Sequence, residues 1–178
     1  MSILAQAWLP EAKDDLADAK STLLKLRDTR DAVIAVRDYW TSVEEYAGKY
    51  ETEWHAMLSG NDRLDFRGPG GLWVHFESGS IVINASCRWT GFCTIAELQR
   101  VHADAFVSIA RALGESRLLL FPESGVIEDY LYDGLTFEEY AAMLRKTWGD
   151  CRTKFGIVTE SIDELYAKPS PAWFLITI

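Results

Sequence analysis

Two runs rich in β-branched and aromatic residues, 72–77 and 80–85, flank Ser78-Gly79. Glycine supplies the positive φ that a two-residue hairpin turn requires. With that turn, Glu77 faces Ser80, Phe76 faces Ile81, Val74 faces Ile83 and Leu72 faces Ala85. One face then carries Leu72, Val74, Phe76, Ile81, Ile83 and Ala85; the other carries Trp73, His75, Glu77, Val82 and Asn84. Side chains alternate along a strand, so a slip of one residue would mix the two sets. Few other stretches constrain the fold this tightly, and 71–121 is read as the organising segment.

Within that segment, Thr94 and Glu97 have the T-x-x-E spacing of a capping box. Ile95, Leu98, Val101, Ala105, Phe106, Ile109 and Leu113 recur at three- and four-residue steps, and Gly114 follows where a helix end expects it. The apolar run 117–121, stopped by Pro122, predicts a buried strand.

The flanks are read as material packed on this unit. Pro10 stands as a first helical residue, with Glu11, Asp14 and Asp15 suited to a helix N-terminus. Leu16, Ala19, Leu23 and Leu26 make one apolar stripe, interrupted by a cap or bend at 28–31. A second stripe runs through Val33, Val36, Trp40, Val43, Ala47, Tyr50, Trp54 and Met57, and 59–62 ends the helical region. Leu64-Asp65-Phe66 is a candidate short strand, and Gly68-Pro69-Gly70-Gly71 a loop leading into the hairpin. Beyond Pro122, 122–125 reads as a turn and 126–132 as a short helix. Thr136 and Glu139 make a second T-x-x-E box, opening a helix through Phe137, Tyr140, Ala141, Leu144 and Trp148. Ser161 and Glu164 have the spacing to cap one further short helix, and 173–178 reads as a strand added to the sheet. The expected fold is α+β: a single domain over 1–178, with a helical region at 1–60 and sheet and helices at 61–178. Its helices pack on a small, mostly antiparallel sheet with a central hairpin.

A chain of 178 residues can bury a real core without disulfides. Cys87, Cys93 and Cys151 are odd in number and lack C-x-x-C spacing, so buried free thiols are expected. Cys93 stands before the predicted helix start at Thr94, where a dipole would activate a thiol, but no base partner is identifiable. His55, His75 and His102 show no helical zinc spacing, and each is read as a packing or surface residue. No G-x-S-x-G occurs, and the glycines at 68–71 lack the lysine of a phosphate loop. No catalytic residue, metal or cofactor is therefore assigned.

The net charge is −9, from 18 basic and 27 acidic residues. That balance argues against nucleic acid and anionic membrane surfaces as partners. No apolar run approaches the ~20 residues of a membrane span, and the N-terminus shows no secretory pattern. The expected compartment is the cytoplasm. Acids concentrate at the ends. Residues 1–60 carry 11 acids and 7 bases, 61–121 carry six of each, and 122–178 carry 10 and 5. Glu123, Glu128, Asp129, Asp133, Glu138 and Glu139 follow one another without an intervening Lys or Arg, with Tyr130, Tyr132 and Tyr140 interleaved. Acids mixed with tyrosines suit the steering and anchoring of a basic protein partner. The plainer reading is a solvated face plus helix N-terminal acids.

The stretch 116–149, SRLLLFPESGVIEDYLYDGLTFEEYAAMLRKTWG, resembles segments of bacterial immunity proteins that accompany polymorphic or secreted toxins. The likeness lies in a strand ending Phe-Pro-Glu-Ser, a helix, and Asp-Gly-Leu-Thr-Phe-Glu-Glu opening another helix. It covers 34 of 178 residues. The resemblance implies a cytoplasmic, acidic, non-enzymatic protein that binds and neutralises one cognate toxin or effector. It carries over no individual functional residue. The six acids above are the candidate partner-binding residues. Two alternatives stand beside this reading. One is a small hydrolase-type enzyme with a site assembled from dispersed Asp, Glu, His or Cys, such as His75 with Cys87 or Cys93. The other is a structural subunit of a larger assembly, marked by an extended exposed apolar patch.

Overall fold

The computed structural model describes residues 4–11, 18–42, 51–59, 63–77, 80–122, 135–156 and 173–178. Seven strands form one sheet: β1 (Leu4–Glu11), β2 (His55–Ser59), β3 (Arg63–Arg67), β4 (Trp73–Glu77), β5 (Ser80–Arg88), β6 (Arg117–Pro122) and β7 (Phe174–Thr177). The order is β2-β3-β4-β5-β1-β6-β7, and all six strand pairings are antiparallel. Five α-helices accompany it among the described residues: α1 (Ala19–Arg27), α2 (Arg30–Ser42), α3 (Trp89–Thr94), α4 (Ala96–Ala112) and α5 (Phe137–Trp148). The class is α+β, and the β4–β5 hairpin lies in the middle of the sheet, as the pattern predicts.

The hairpin register is the predicted one: Glu77 opposite Ser80, Phe76 opposite Ile81, Val74 opposite Ile83. Its apolar face extends across every strand. Ala56, Phe66, Val74, Ile83, Ala7, Leu120 and Phe174 are successive cross-strand neighbours from β2 to β7. Against this row pack Leu26 of α1, Val33 and Val36 of α2, Phe92 of α3, and Leu98, Val101, Phe106 and Ile109 of α4. Cross-strand and face-to-face burial of such side chains is worth roughly 1.5–3 kcal/mol each, so this layer is the main core. A second core lies on the opposite face. There Phe137, Tyr140, Ala141 and Leu144 of α5 cover Trp8, Val82, Leu119 and Phe121.

The N-terminus corrects the predicted helix. Residues 4–11 are a strand between β5 and β6, buried on both faces: Ala5, Ala7 and Leu9 toward the main core, Gln6 and Trp8 away from it. Pro10 lies where the register against β5 shifts, a place that tolerates a residue without an N–H. Asp18 caps α1 through Lys20 N and Ser21 N, each at 3.3 Å. The predicted break between the first two helices falls at Asp28-Thr29. Helix α2 carries the second stripe as far as Ser42 among the described residues, and Met57 belongs to strand β2 rather than to a helix face. The region 1–60 therefore contributes two strands as well as helices; Ser59 closes β2, and 60–62 lie outside the described residues. Of that stripe, Val43, Ala47 and Tyr50 lie outside the described residues, as do Leu16 of the first stripe, the predicted helix 126–132 and the Ser161–Glu164 cap.

The first T-x-x-E box does not form. A short helix, α3, intervenes, and Thr94 Oγ1 donates back to Thr90 O at 2.8 Å. Helix α4 starts at Ala96 with Ile95 as an N-cap that makes no side-chain bond, while Glu97 pairs with Arg100 at 3.1 Å. The second box does form. Thr136 Oγ1 accepts from Glu139 N at 3.3 Å, and Glu139 Oε2 accepts from Thr136 N at 2.9 Å. The α4 C-terminus closes as expected, with Gly114 at φ 85° and Glu115 N donating to Ala110 O at 2.9 Å. The glycine loop before β4 is a packing device. A Cβ on Gly68 would stand 2.6 Å from the Trp54 ring, and one on Gly70 2.6 Å from Val36 Cγ1.

Candidate functional site

The face of the sheet opposite α1–α4 is where polar chemistry gathers. Two cross-strand rows cross it. One runs His55, Arg67, Trp73, Asn84, Gln6, Phe121; the other runs Met57, Asp65, His75, Val82, Trp8, Leu119, Leu175. Helix α5 covers the β1–β6 end of both rows. The β2–β4 end is mixed: Arg67 lies over the Trp73 ring at 4.8 Å, and His55 and Met57 are exposed. Between these ends, Asp65 and His75 are cross-strand neighbours and both are buried. An acid beside an imidazole can fix its tautomer or stabilise its cation. Gln6 Oε1 and the indole nitrogens of Trp8 and Trp73 are buried with no hydrogen-bond partner among the described residues. Leaving such a group unpaired costs about 1–3 kcal/mol.

The cysteines belong to the other side. Cys87 and Cys93 lie in the main core, and His75 points from the opposite face of β4, so the structure does not bring them together. Burial pushes the Cys87 thiol up to about 12, reinforced by the neighbouring Cys93. Burial also pushes Cys93 up to about 12, with Arg152 opposing. Cys93 sits in the last turn of α3 rather than before a helix start, a buried thiol as expected. All three cysteines are free; Cys87 and Cys93 are buried as expected, whereas Cys151 is half-buried. His102 is a buried packing residue between α2 and α4: Trp40 Nε1 donates to its Nε2 at 3.4 Å, and its Nδ1 lies 2.9 Å from Leu98 O. Among the described residues no group of three or more His, Cys, Asp or Glu is arranged to hold a metal ion.

Of the six candidate acids, Glu123, Glu128, Asp129 and Asp133 lie outside the described residues. Glu138 and Glu139 are exposed on the first turn of α5. Glu138 pairs with Arg117 at 2.5 Å, and its side chain keeps 68 % of its accessible surface. Glu139 is held by Thr136, whose backbone N–H and hydroxyl together keep its carboxyl below the usual range. Both acids thus have local structural work. Tyr140 is not a surface anchor: it is fully buried and stacked on Trp8, ring centroids 4.5 Å apart.

The Asp65–His75 pairing was not anticipated because it needs the β3–β4 register across the 68–71 loop, which alternation within one strand does not supply. Gln6 and Trp8 precede the helix predicted from Pro10, in a stretch to which the sequence pattern assigns no strand. Large exposed apolar side chains among the described residues are Leu24, Met57 and Ile95, on three separate segments. No described helix is long and apolar enough to cross a membrane. In comparisons with known proteins, no family model, no curated protein and no solved structure matches the chain.

Proposed function

We propose that this chain is a non-enzymatic binding protein that engages a basic protein partner, in the manner of the bacterial immunity proteins that 116–149 resembles, and that the partner is a toxin or effector it neutralises. The observation that carries the reading is the net charge of −9 with its uninterrupted acidic run, whose last members stand exposed on α5. The buried side of α5 is anchored on Trp8, Leu119 and Phe121, so its outer side is presented on a fixed support. Such a field speeds encounter with a basic protein and weakens as salt rises.

The test is capture from bacterial lysate with the tagged chain at low and high salt, followed by rescue of cells expressing the captured protein. A Glu128→Lys, Asp129→Lys variant is expected to associate more slowly and bind more weakly. Unchanged affinity in that variant and across a salt titration rejects the acidic run as the interface. The pairing of Asp65 with His75 favours a second reading, a hydrolase-type enzyme. Turnover of a model ester or phosphodiester that disappears in Asp65→Asn and His75→Gln variants would put that reading first.

A further inference from the structure

A cavity of about 300 Å³ opens at the junction of α1 and α2, lined by Arg27, Arg30, Val33, Thr52, Glu53, Trp54 and Pro69. Its size lies at the lower end of the range for small-molecule sites, roughly 300–1,000 Å³. Its wall is built and already satisfied. Trp54 Nε1 donates to Thr29 Oγ1 at 3.3 Å, and that hydroxyl donates to Leu26 O at 2.6 Å. The Trp54 ring is wedged against Gly68, where no Cβ would fit, and Val33 is fully buried. Val33, Trp54 and Pro69 form the fixed apolar part of the wall; Arg27, Arg30, Thr52 and Glu53 form its polar part.

Two cations stand at this wall. Arg27 closes α1 and Arg30 opens α2, so the two-residue break at Asp28-Thr29 brings both to one cavity. Neither side chain makes a hydrogen bond or ion pair among the described residues, although the chain carries nine more acids than bases. Arg37 pairs with Asp38, Arg100 with Glu97 and Asp104, and Arg117 with Glu138, while Arg88 and Arg111 are likewise without an ion pair among the described residues. A guanidinium presents a planar fork of donors matched to carboxylate or phosphate oxygens. Glu53 is the one carboxylate of the lining among the described residues and opposes an anion there.

We infer that this cavity is a binding site for a small organic anion, a carboxylate or phosphate ester with a flat apolar body, held by Arg27 and Arg30 against Val33, Trp54 and Pro69. The site is independent of the proposed protein partner.

The test is a titration of the ¹⁵N-labelled full chain with benzoate, phenyl phosphate and neutral benzamide. Benzoate or phenyl phosphate is expected to shift the Trp54 indole N–H and the Arg27 and Arg30 Nε–H signals. The tighter of the two identifies the anion class. Arg27→Ala with Arg30→Ala is expected to weaken binding about tenfold or more, as loss of two charge-assisted contacts requires. Glu53→Gln removes the opposing charge and is expected to tighten binding about threefold, a gain that misfolding cannot produce. Equal shifts from benzamide, retained affinity in the double arginine variant, or no shift from either anion at about tenfold above millimolar affinity would overturn the assignment.

Discussion

Lowering the pH from 6.5 to 4 should destabilise this protein through one residue, His102. Its Nδ1 faces Leu98 O at 2.9 Å, which places the proton there and leaves Nε2 to accept from Trp40 Nε1 at 3.4 Å. A second proton would set two donors against each other inside a buried contact. Burial accordingly lowers its pKa from 6.5 to about 4, with the Leu98 carbonyl opposing. Above 6.5 the folded and unfolded chains both hold the ring neutral, and it adds no pH dependence. Between 6.5 and 4 the unfolded chain takes the proton and the folded chain does not, so stability falls with pH. Below 4 both are protonated and the loss is complete. At about 1.36 kcal/mol per unit the full penalty is about 3 kcal/mol, a large part of a typical folding free energy. The assay is equilibrium urea unfolding at several pH values for the wild type and for His102→Gln. The difference between the two removes contributions from groups they share. It should change by up to about 1.4 kcal/mol per pH unit across this window. A flat difference, or an NMR titration of the His102 ring with a midpoint near 6.5, would refute the reasoning.

Thr136→Ala removes the cap that binds Glu139 and should cost about 1 kcal/mol in urea unfolding. Gly70→Ala should cost about 2 kcal/mol or more, because φ is 68° and the added methyl would meet Val36 Cγ1 at 2.6 Å and Arg37 N at 2.9 Å. Gly114→Ala, at φ 85° with nothing within 4 Å, should cost about 1 kcal/mol, from backbone strain alone. A smaller loss for Gly70 than for Gly114 would refute the close-packing argument. Timed iodoacetamide labelling read by mass spectrometry should modify half-buried Cys151 first and leave native Cys87 and Cys93, with thiol pKa values near 12, largely unmodified at pH 8.

What could be read from the chain alone follows from how far each signal reaches. The β4–β5 register was legible because alternation and a two-residue turn are local and agree with each other. So were the α5 capping box, the α4 stripe with Gly114, and strands β6 and β7. Thr94 and Glu97 show the limit of a spacing rule. The same T-x-x-E pattern that caps α5 fails at α4, because Trp89, Phe92 and Cys93 gain more by folding into the core as α3. Residues 4–11 show a second limit. Ala5, Gln6 and Ala7 have little intrinsic strand preference, and pairing with both β5 and β6 overrides it. Strand β2 was absorbed into a helical stripe because Trp54 and Met57 satisfy a three-residue step by coincidence. The functional consequence is specific. On the polar sheet face, Asp65 beside His75 was missed for want of a register between β3 and β4, and Gln6 beside Asn84 because 4–9 carried no strand signal. The candidate anion site likewise depends on a turn that brings Arg27 and Arg30 beside Trp54, which is far from them in sequence. Chemistry assembled across a sheet or a helix junction leaves no periodic trace, whereas the acidic run of 123–139, being contiguous, did.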